Sequence, residues 1–155
     1  MQTIKLTNVE LSITVDDEDY ERINKYNWNF NKLTKRVSSS VEGKNISIAE
    51  FILGHALLMH IDHKDRNTLN NQKENLRFCT RTQNQANRVD KKNSTGYKGV
   101  SIMKDRHKKY KAEIQVNNRR ITIGYFYSAK EAGKAYNKAA LKYFGEFALL
   151  NTIEN

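Results

Sequence analysis

Residues 59–88 read MHIDHKDRNTLNNQKENLRFCTRTQNQANR, and this stretch decides the fold of the chain. The pair Asp62–His63 ends a short apolar strand, and residues 75–78 return as a second strand after an asparagine-rich loop. A helix follows, because Thr80 and Gln83 have the spacing of a capping box. The pattern predicts a strand, a loop, a strand and a helix in succession.

The polar side chains of this segment suit metal and proton chemistry. The predicted order brings Asp62 and Asn84 onto facing elements, since Asn84 lies in the first turns of the helix. A carboxylate and an amide oxygen suit a hard, partly hydrated cation such as Mg²⁺, which takes further ligands from water and phosphate. His63 points to the opposite strand face from Asp62, and an imidazole exchanges protons near neutral pH. His63 is therefore a candidate general base.

The joint spacing of Asp62–His63, Asn75 and residues 80–87 resembles the HNH nuclease motif, in the phage and homing-type branch whose third letter is an asparagine. The resemblance implies a ββα-metal fold that cuts or nicks DNA with one divalent ion, Mg²⁺ or another such as Mn²⁺. It also implies that Asp62 and Asn84 hold the metal and that His63 deprotonates the attacking water.

Other residues of the segment carry less specific signals. The resemblance implies that Asn75 pins the loop between the strands and so keeps the general base in register, and Asn71 is a weaker candidate for the same task. His60 shares the strand face of the predicted carboxylate ligand. There it either approaches the metal or a phosphate or, as is more common for histidine, packs and forms hydrogen bonds. His55 and Cys79 are interpreted as structural.

The C-terminal region carries most of the positive charge. Residues 91–155 hold 14 basic and 5 acidic side chains, interleaved with aromatic residues, which is typical of a binder of the phosphate backbone. Alternation of apolar and polar residues predicts a three-stranded antiparallel sheet, and an alanine-rich stripe after a capping box predicts a helix. These elements cover residues 98–103, 110–116, 121–123 and 128–145.

This region also looks like the APETALA-two or ethylene-response-factor DNA-binding domain. The matching pieces are GYKGV at 96–100, YKAEI at 110–114, IGYF at 123–126, AKEAGKAYNKAA at 129–140 and FGEFALLN at 144–151. In that family the sheet lies in the major groove of duplex DNA. The resemblance therefore implies DNA contacts at the matching positions, namely Lys98, Ser101, Met103, Glu113, Gln115, Arg120 and Thr122. Lys111 is a further candidate, for a phosphate contact.

The sequence pattern of the N-terminal region predicts a small curled sheet with one helix. It does not indicate a chemical function for this region. Two short strands fall within residues 1–15, a helix over 16–26, and two strands over 36–41 and 44–49. No catalytic constellation is present in the sequence there, so Trp28, Phe30 and Phe51 are interpreted as core.

The predicted fold class is α+β, with three consecutive parts. A small β-rich N-terminal region leads into a ββα-metal module, and a three-stranded antiparallel sheet packed on one helix follows. The predicted boundaries are an HNH domain over 1–90 (a β-rich part at 1–50, the ββα-metal motif at 51–90), a linker at 91–95 and a DNA-binding domain over 96–155.

Composition limits the class of protein. The chain has 155 residues, a formal net charge of +10, no proline and one cysteine. No apolar run reaches the roughly 18 residues of a membrane span, no secretory signal is recognisable, and one cysteine cannot form a disulfide within the chain. We expect duplex DNA as the partner, no membrane and no small-molecule cofactor. The expected location is the cytoplasm of a bacterial or phage-infected cell.

Two alternatives remain open at this stage. The chain could be a DNA-binding regulator that has lost cleavage, or an RNA-binding or structural protein that uses its aromatic residues for stacking. One departure bears on the first alternative. Relatives of the resembled group tend to carry a His-Arg pair before the apolar segment that precedes the Asp-His strand, and here Ala49 and Glu50 occupy those positions. A carboxylate facing DNA phosphates would repel them.

Overall fold

The computed structural model describes residues 1–89, 94–104 and 107–153. Within these ranges the chain is mixed α/β, with four small antiparallel sheets and four α-helices. It divides into two compact units, unit 1 over Met1–Thr80 and unit 2 over Arg81–Asn155. Residues 91–93 of the predicted linker lie outside the described residues, and the predicted domain boundaries remain a prediction.

Unit 1 begins with a hairpin and a short helix. Strands β1 (Gln2–Lys5) and β2 (Ser12–Val15) pair antiparallel, and helix α1 (Asp17–Ile23) follows. The helix ends three residues before the predicted limit at residue 26. The reason is that the indole Nε1 of Trp28 donates to the Ile23 carbonyl at 2.9 Å, which draws the chain back across the core.

The second sheet of unit 1 contains β3 (Asn29–Asn31), β4 (Arg36–Val41) and β5 (Lys44–Ser47), in that order. Helix α2 (Ile48–Leu53) follows directly. The predicted strand over 44–49 was therefore wrong at its end, because Ser47 Oγ accepts the N–H of Glu50 at 3.3 Å and starts a helix. Trp28 is fully buried, whereas Phe30 and Phe51 are only partly buried against the core.

A two-stranded hairpin completes unit 1. Strand β6 (His60–His63) pairs antiparallel with β7 (Leu76–Cys79), and a single 3-10 turn over Lys73–Asn75 leads into the second strand. The predicted strand began at Asn75, but Asn75 is the last residue of the turn and the observed strand begins at Leu76. Helix α3 (Arg81–Ala86) comes next in the chain and belongs to unit 2.

Unit 2 contains a three-stranded antiparallel sheet and the longest helix. The sheet order is β10-β9-β8, formed by β8 (Val100–Ile102), β9 (Tyr110–Val116) and β10 (Arg119–Phe126). Asn117 and Asn118, at φ 49° and 61°, make the tight turn between β9 and β10. Helix α4 (Ala129–Phe144) starts where Ser128 Oγ accepts the N–H of Glu131 at 3.2 Å.

The core of unit 2 lies between the sheet and α4. Ala112 and Ile114 of β9 face small residues of α4 and the buried ring of Tyr136. Ala86 of α3 packs in the same cluster, and its carbonyl accepts the N–H of Leu149 at 3.3 Å. Helix α3 is therefore part of this core. None of the helices in the described ranges is long and apolar enough to cross a bilayer.

Candidate functional site

The β6-β7 hairpin pairs a carboxylate with a guanidinium. Asp62 lies opposite Arg77 across the two strands, and Arg77 donates from Nε and Nη2 to Asp62 Oδ2 at 3.1 and 2.9 Å. The side chains are 9% and 11% exposed for Asp62 and Arg77 respectively. Oδ2 of this carboxylate is therefore bound to a cation of the protein itself. Sequence reasoning missed Arg77, although an opposite charge facing Asp62 follows from the strand register.

His63 is half-buried and lies next to an amide that is fully buried. Its Nε2 atom is 3.0 Å from Oδ1 of Asn71, and the Asn71 side chain is 0% exposed. The amide Nδ2 of Asn71 donates to the Thr68 carbonyl at 3.2 Å. Of the two loop asparagines considered from the sequence, Asn71 is the one whose side chain bonds the imidazole.

Asn75 holds the backbone of the loop. Its Nδ2 donates to Asp65 Oδ1 at 2.9 Å and to the Asn70 carbonyl at 2.8 Å, and its Oδ1 accepts the N–H of Asp65 at 3.0 Å. The carbonyl of Asn75 also accepts the N–H of Lys64 at 2.8 Å. These four bonds join the start and end of the loop just beyond His63.

Asp65 supplies a fixed negative charge in the same loop. Burial acts to raise the pKa of its carboxyl, but hydrogen bonds from the N–H of Asn67 and the amides of Asn70 and Asn75 oppose it, and so does the nearby His63. The pKa of Asp65 is lowered as a result. Asp65 is thus an anion at neutral pH and the acceptor around which the loop folds. No motif or spacing in the sequence singled out this residue.

Cys79 is buried at the end of β7, with Sγ 3.5 Å from the His60 carbonyl. Burial raises the pKa of its thiol to about 11, and the charge of Asp62 adds to the rise while Arg77 opposes it. This environment agrees with the structural interpretation of the residue.

We expect Cys79 to react about 100-fold more slowly with a thiol reagent at pH 8 than an unfolded chain does. The thiolate is the reactive form, and raising the thiol pKa from 9.0 to about 11 lowers the thiolate fraction about 100-fold. The measurement is the labelling rate with a chromogenic disulfide, native and in denaturant. Equal native and unfolded rates would contradict the buried, high-pKa thiol.

The two predicted metal ligands lie in different units. Asp62 is on β6 in unit 1, and Asn84 is half-buried on α3 in unit 2. The part of the chain that the structure describes holds no group of three or more His, Cys, Asp or Glu side chains placed to bind a metal. One carboxylate and one amide oxygen nevertheless fit a hard cation in donor type, since such an ion accepts water and phosphate as its other ligands.

Ala49 and Glu50 stand where relatives of the resembled group tend to carry a His-Arg pair. Oε1 of Glu50 on α2 is 2.8 Å from Nδ1 of His55, so the carboxylate is directed towards its own loop. Ala49 is buried in the core of unit 1. The His55 side chain is 73% exposed, and its ring forms an ion pair with the Glu50 carboxylate when the ring is protonated. His60 is exposed at the start of β6.

The face of the unit 2 sheet that points away from α4 is polar. On it Gln115 lies opposite Arg120, Glu113 opposite Thr122, and Lys111 opposite Ser101. We call these six residues the outer sheet face. Glu113 is ion-paired with the Lys111 amine and has Oε1 3.8 Å from Arg120 Nε. The six predicted positions thus share one surface with positive charges on both sides of a single carboxylate.

Lys98, also a predicted DNA-binding residue, lies outside the sheet. It precedes β8, and its amine donates to the Ala86 carbonyl at 2.6 Å and to the Arg88 carbonyl. These carbonyls are at the C-terminal end of α3, where a cation is favoured by the helix dipole. Tyr125, one of the aromatic residues that the sequence places among the basic ones, pairs with Lys111 in the sheet register.

The chain is similar to a known family and to a curated viral protein. Residues 58–86 match the model of a family described as HNH endonuclease. An uncharacterised HNH endonuclease of Acanthamoeba polyphaga mimivirus is 34% identical over 96 residues, which are 62% of this chain and 49% of the relative. The chain thus spans about half the length of that relative. No solved structure matches the chain.

Proposed function

We propose that this chain is a metal-dependent DNA endonuclease of the HNH type, acting as a homing or phage-type enzyme on duplex DNA. The observation that carries the proposal is His63, held through its Nε2 by a buried amide within the segment that matches the HNH endonuclease family. The similarity to a viral HNH endonuclease supports the same reaction class. We further infer a cytoplasmic site of action, in a bacterial or phage-infected cell.

The reaction assigned to His63 is proton abstraction from water. As the water oxygen forms a bond to phosphorus, the imidazole takes the proton and the bond from phosphorus to the leaving oxygen breaks. The half-buried position of His63 suits this role, because the ring is held on one side by Asn71 and is still partly exposed. Asn75 and Asp65 hold the loop that follows His63, and Asn75 is therefore a positioning residue in this scheme.

A divalent ion would supply charge stabilisation at the phosphate and the leaving oxygen. The assignment of Asp62 and Asn84 as its ligands rests on the sequence spacing, and Mg²⁺ or Mn²⁺ suits their oxygen donors. Arg77 bonds Asp62 Oδ2 and thereby fixes the orientation of this carboxylate.

Cleavage of supercoiled plasmid tests the proposed function. With Mg²⁺ or Mn²⁺ the chain should convert supercoiled DNA to nicked or linear forms, and EDTA should stop the conversion. Cleavage that continues unchanged in EDTA would contradict metal dependence. No cleavage with either ion, while duplex DNA is still bound, would instead identify a DNA-binding regulator. That alternative has one observation in its favour, since the guanidinium of Arg77 already neutralises Asp62.

We assign binding of duplex DNA to the outer sheet face. Lys111 suits phosphate contacts, Arg120 suits guanine or phosphate, and Gln115 has the paired donor and acceptor that adenine presents in the major groove. Glu113 lies between the two cations and keeps their side chains on this face. Lys98 was also predicted to take a phosphate; its bonds to the end of α3 would have to be exchanged for that contact.

Arg120→Ala should weaken binding to duplex DNA and lower its salt dependence. Each neutralised phosphate contributes about 0.9 to the slope of log K against log salt, so one lost contact should lower the slope by about 0.9. Fluorescence anisotropy over a salt series measures this slope. The matched control is Lys138→Ala, since Lys138 is exposed on α4, on the other side of the sheet. An equal loss of slope in both variants would contradict binding through the outer sheet face.

A further inference from the structure

Arg66 adopts a backbone conformation that is unfavourable for arginine. It lies in the loop between β6 and β7, residues 64–75, and its φ angle is 65°. In this left-handed region the Cβ atom comes close to the backbone, so glycine is the residue that fits it best. Arginine therefore lowers the stability of the loop relative to glycine, unless its side chain makes a contact that offsets the cost.

The side chain of Arg66 makes no such contact with the residues that the structure describes. It is exposed, and its guanidinium forms no hydrogen bond, ion pair or ring contact with any of them. The two lysines of the loop differ in this respect. The amine of Lys64 donates to the Glu74 carbonyl at 2.7 Å. The amine of Lys73 is ion-paired with Glu18. Within residues 64–75, all of which are described, the guanidinium is thus the basic group left for a ligand from outside.

The backbone of Arg66 is fixed next to the candidate base. Its N–H donates to the His63 carbonyl at 2.9 Å, which closes a tight turn over residues 63–66. In such a turn the first and fourth Cα atoms are less than about 7 Å apart. The N–H of Asn67, the next residue, donates to Asp65 Oδ1 at 2.8 Å. Arg66 is therefore held on both sides, at the same end of the hairpin as His63.

Strand β2 fixes the remainder of the loop. The N–H of Asn71 donates to the Thr14 carbonyl at 2.7 Å, and the N–H of Thr14 donates to the Leu69 carbonyl at 2.8 Å. Just after β2, Asp16 Oδ2 accepts the N–H of Lys73 at 2.8 Å. The loop is ordered by these bonds before any ligand binds, and such preorganisation favours binding.

The two carboxylates nearest in sequence are already matched by groups of the protein. Asp65 accepts the amide of Asn70 at Oδ2 and the amide of Asn75 at Oδ1, each at 2.9 Å. Asp62 is ion-paired with Arg77. The exposed guanidinium of the loop is not matched in this way, so the charge that this end of the hairpin offers to a ligand is positive.

We propose that Arg66 binds a phosphate of the DNA backbone beside the scissile bond and so places the strand against His63. A guanidinium presents parallel N–H groups that match two phosphate oxygens. The residue lies within the segment that matches the HNH endonuclease family, and a phosphodiester is the anion on which an endonuclease acts. The inference rests on the proposed function, since it names a contact through which duplex DNA reaches the candidate base.

Arg66→Gly tests the proposal while preserving the fold, because glycine adopts this φ angle freely. Anisotropy over a salt series in EDTA measures binding of duplex DNA without cleavage, and the slope of log K against log salt should fall by about 0.9. With Mg²⁺, KM should rise about tenfold while kcat stays within about threefold of wild type. A thermal midpoint at or above that of wild type verifies the fold. An unchanged slope and KM in the folded variant overturn the proposal.

Lys35→Gly is the matched control. Lys35 is an exposed basic residue of unit 1 with φ 57°, in the turn between β3 and β4 and outside the segment that matches the family. Its replacement relieves the same backbone conformation and removes the same charge, so we expect the salt slope and KM of wild type. Arg66→Lys keeps the charge and should keep the slope. Equal losses in Arg66→Gly and Lys35→Gly would show that net charge, and no specific contact, causes the effect, and would refute the proposal.

Failure of this proposal is distinguishable from failure of the proposed function. If the wild-type chain binds duplex DNA but cleaves it with neither Mg²⁺ nor Mn²⁺, the proposed reaction fails, while a lowered salt slope in Arg66→Gly still supports the phosphate contact. If the wild-type chain cleaves and Arg66→Gly keeps its slope and KM, the proposed function stands and the role of Arg66 is refuted.

Discussion

Replacing His63 with alanine is expected to lower the rate of plasmid cleavage by about 10²- to 10⁴-fold while leaving duplex DNA binding in place. A general base contributes about this much to the rate, and we assign that role to His63, whose Nε2 atom lies 3.0 Å from Asn71 Oδ1. The outer sheet face, to which we assign DNA binding, lies in unit 2 and is unaffected by the change. Single-turnover cleavage and anisotropy binding measure the two effects.

His55→Ala is the matched control for this experiment. His55 lies on the exposed loop before β6 and contacts Glu50, so its removal changes the histidine content without touching the proposed base. We expect its cleavage rate to stay within a few fold of wild type. If His63→Ala cleaves as fast as His55→Ala, His63 is not the base and the proposed chemistry is wrong.

Gly99→Ala should destabilise unit 2 by about 2–5 kcal/mol. Gly99 has φ +72°, a left-handed conformation that costs other residues about 1–2 kcal/mol. An added Cβ would also lie 2.7 Å from the Glu113 carbonyl oxygen and would overlap the ring of Tyr136. Overpacking of this kind costs about 1–3 kcal/mol, and the Tyr136 ring is itself buried in the core. We expect thermal unfolding of unit 2 to shift down by more than about 10 °C.

Gly96→Ala isolates the steric part of that effect. Gly96 has φ +74°, but nothing lies within 4 Å of the Cβ that alanine would add. The substitution should therefore cost only the left-handed backbone term, about 1–2 kcal/mol. Differential scanning calorimetry on both variants gives the comparison. Equal shifts in the two transitions would show that the close approach of Gly99 to Tyr136 and Glu113 contributes nothing to stability.

The sequence predicted correctly the turns and helix starts that depend on a few neighbouring residues. The paired asparagines at 117–118 adopt the positive φ values of a tight turn, and Ser128 caps the helix that its spacing to Glu131 indicated. Strand β4 has the predicted bounds for the same reason, since alternation and a turn define it. Helix α2 was missed because six residues are too few to show helical periodicity, and its start depends on one serine cap.

The spacing of Asp62, His63 and Asn75 predicts metal and proton chemistry, and the roles of these residues remain predictions. Their contacts could not be predicted. The choice of Asn71 as the partner of His63 depends on bonds from Thr14 and Asp16, more than 50 residues away, and no local pattern reports them. The hydrogen bonds of the loop decide which asparagine meets the ring, and these form only when β2 lies alongside.

Helix α3 packs its residue Ala86 in the core of unit 2, although it follows the β6-β7 hairpin directly in the chain. Thr80 is therefore the boundary at which the chain should be divided to study the two units separately. A fragment that stops near residue 90 would expose Ala86 at the end of α3, whereas one that stops at Thr80 would leave the helix out. If unit 2 is exchanged between related proteins, by recombination or by design, α3 should be transferred together with it.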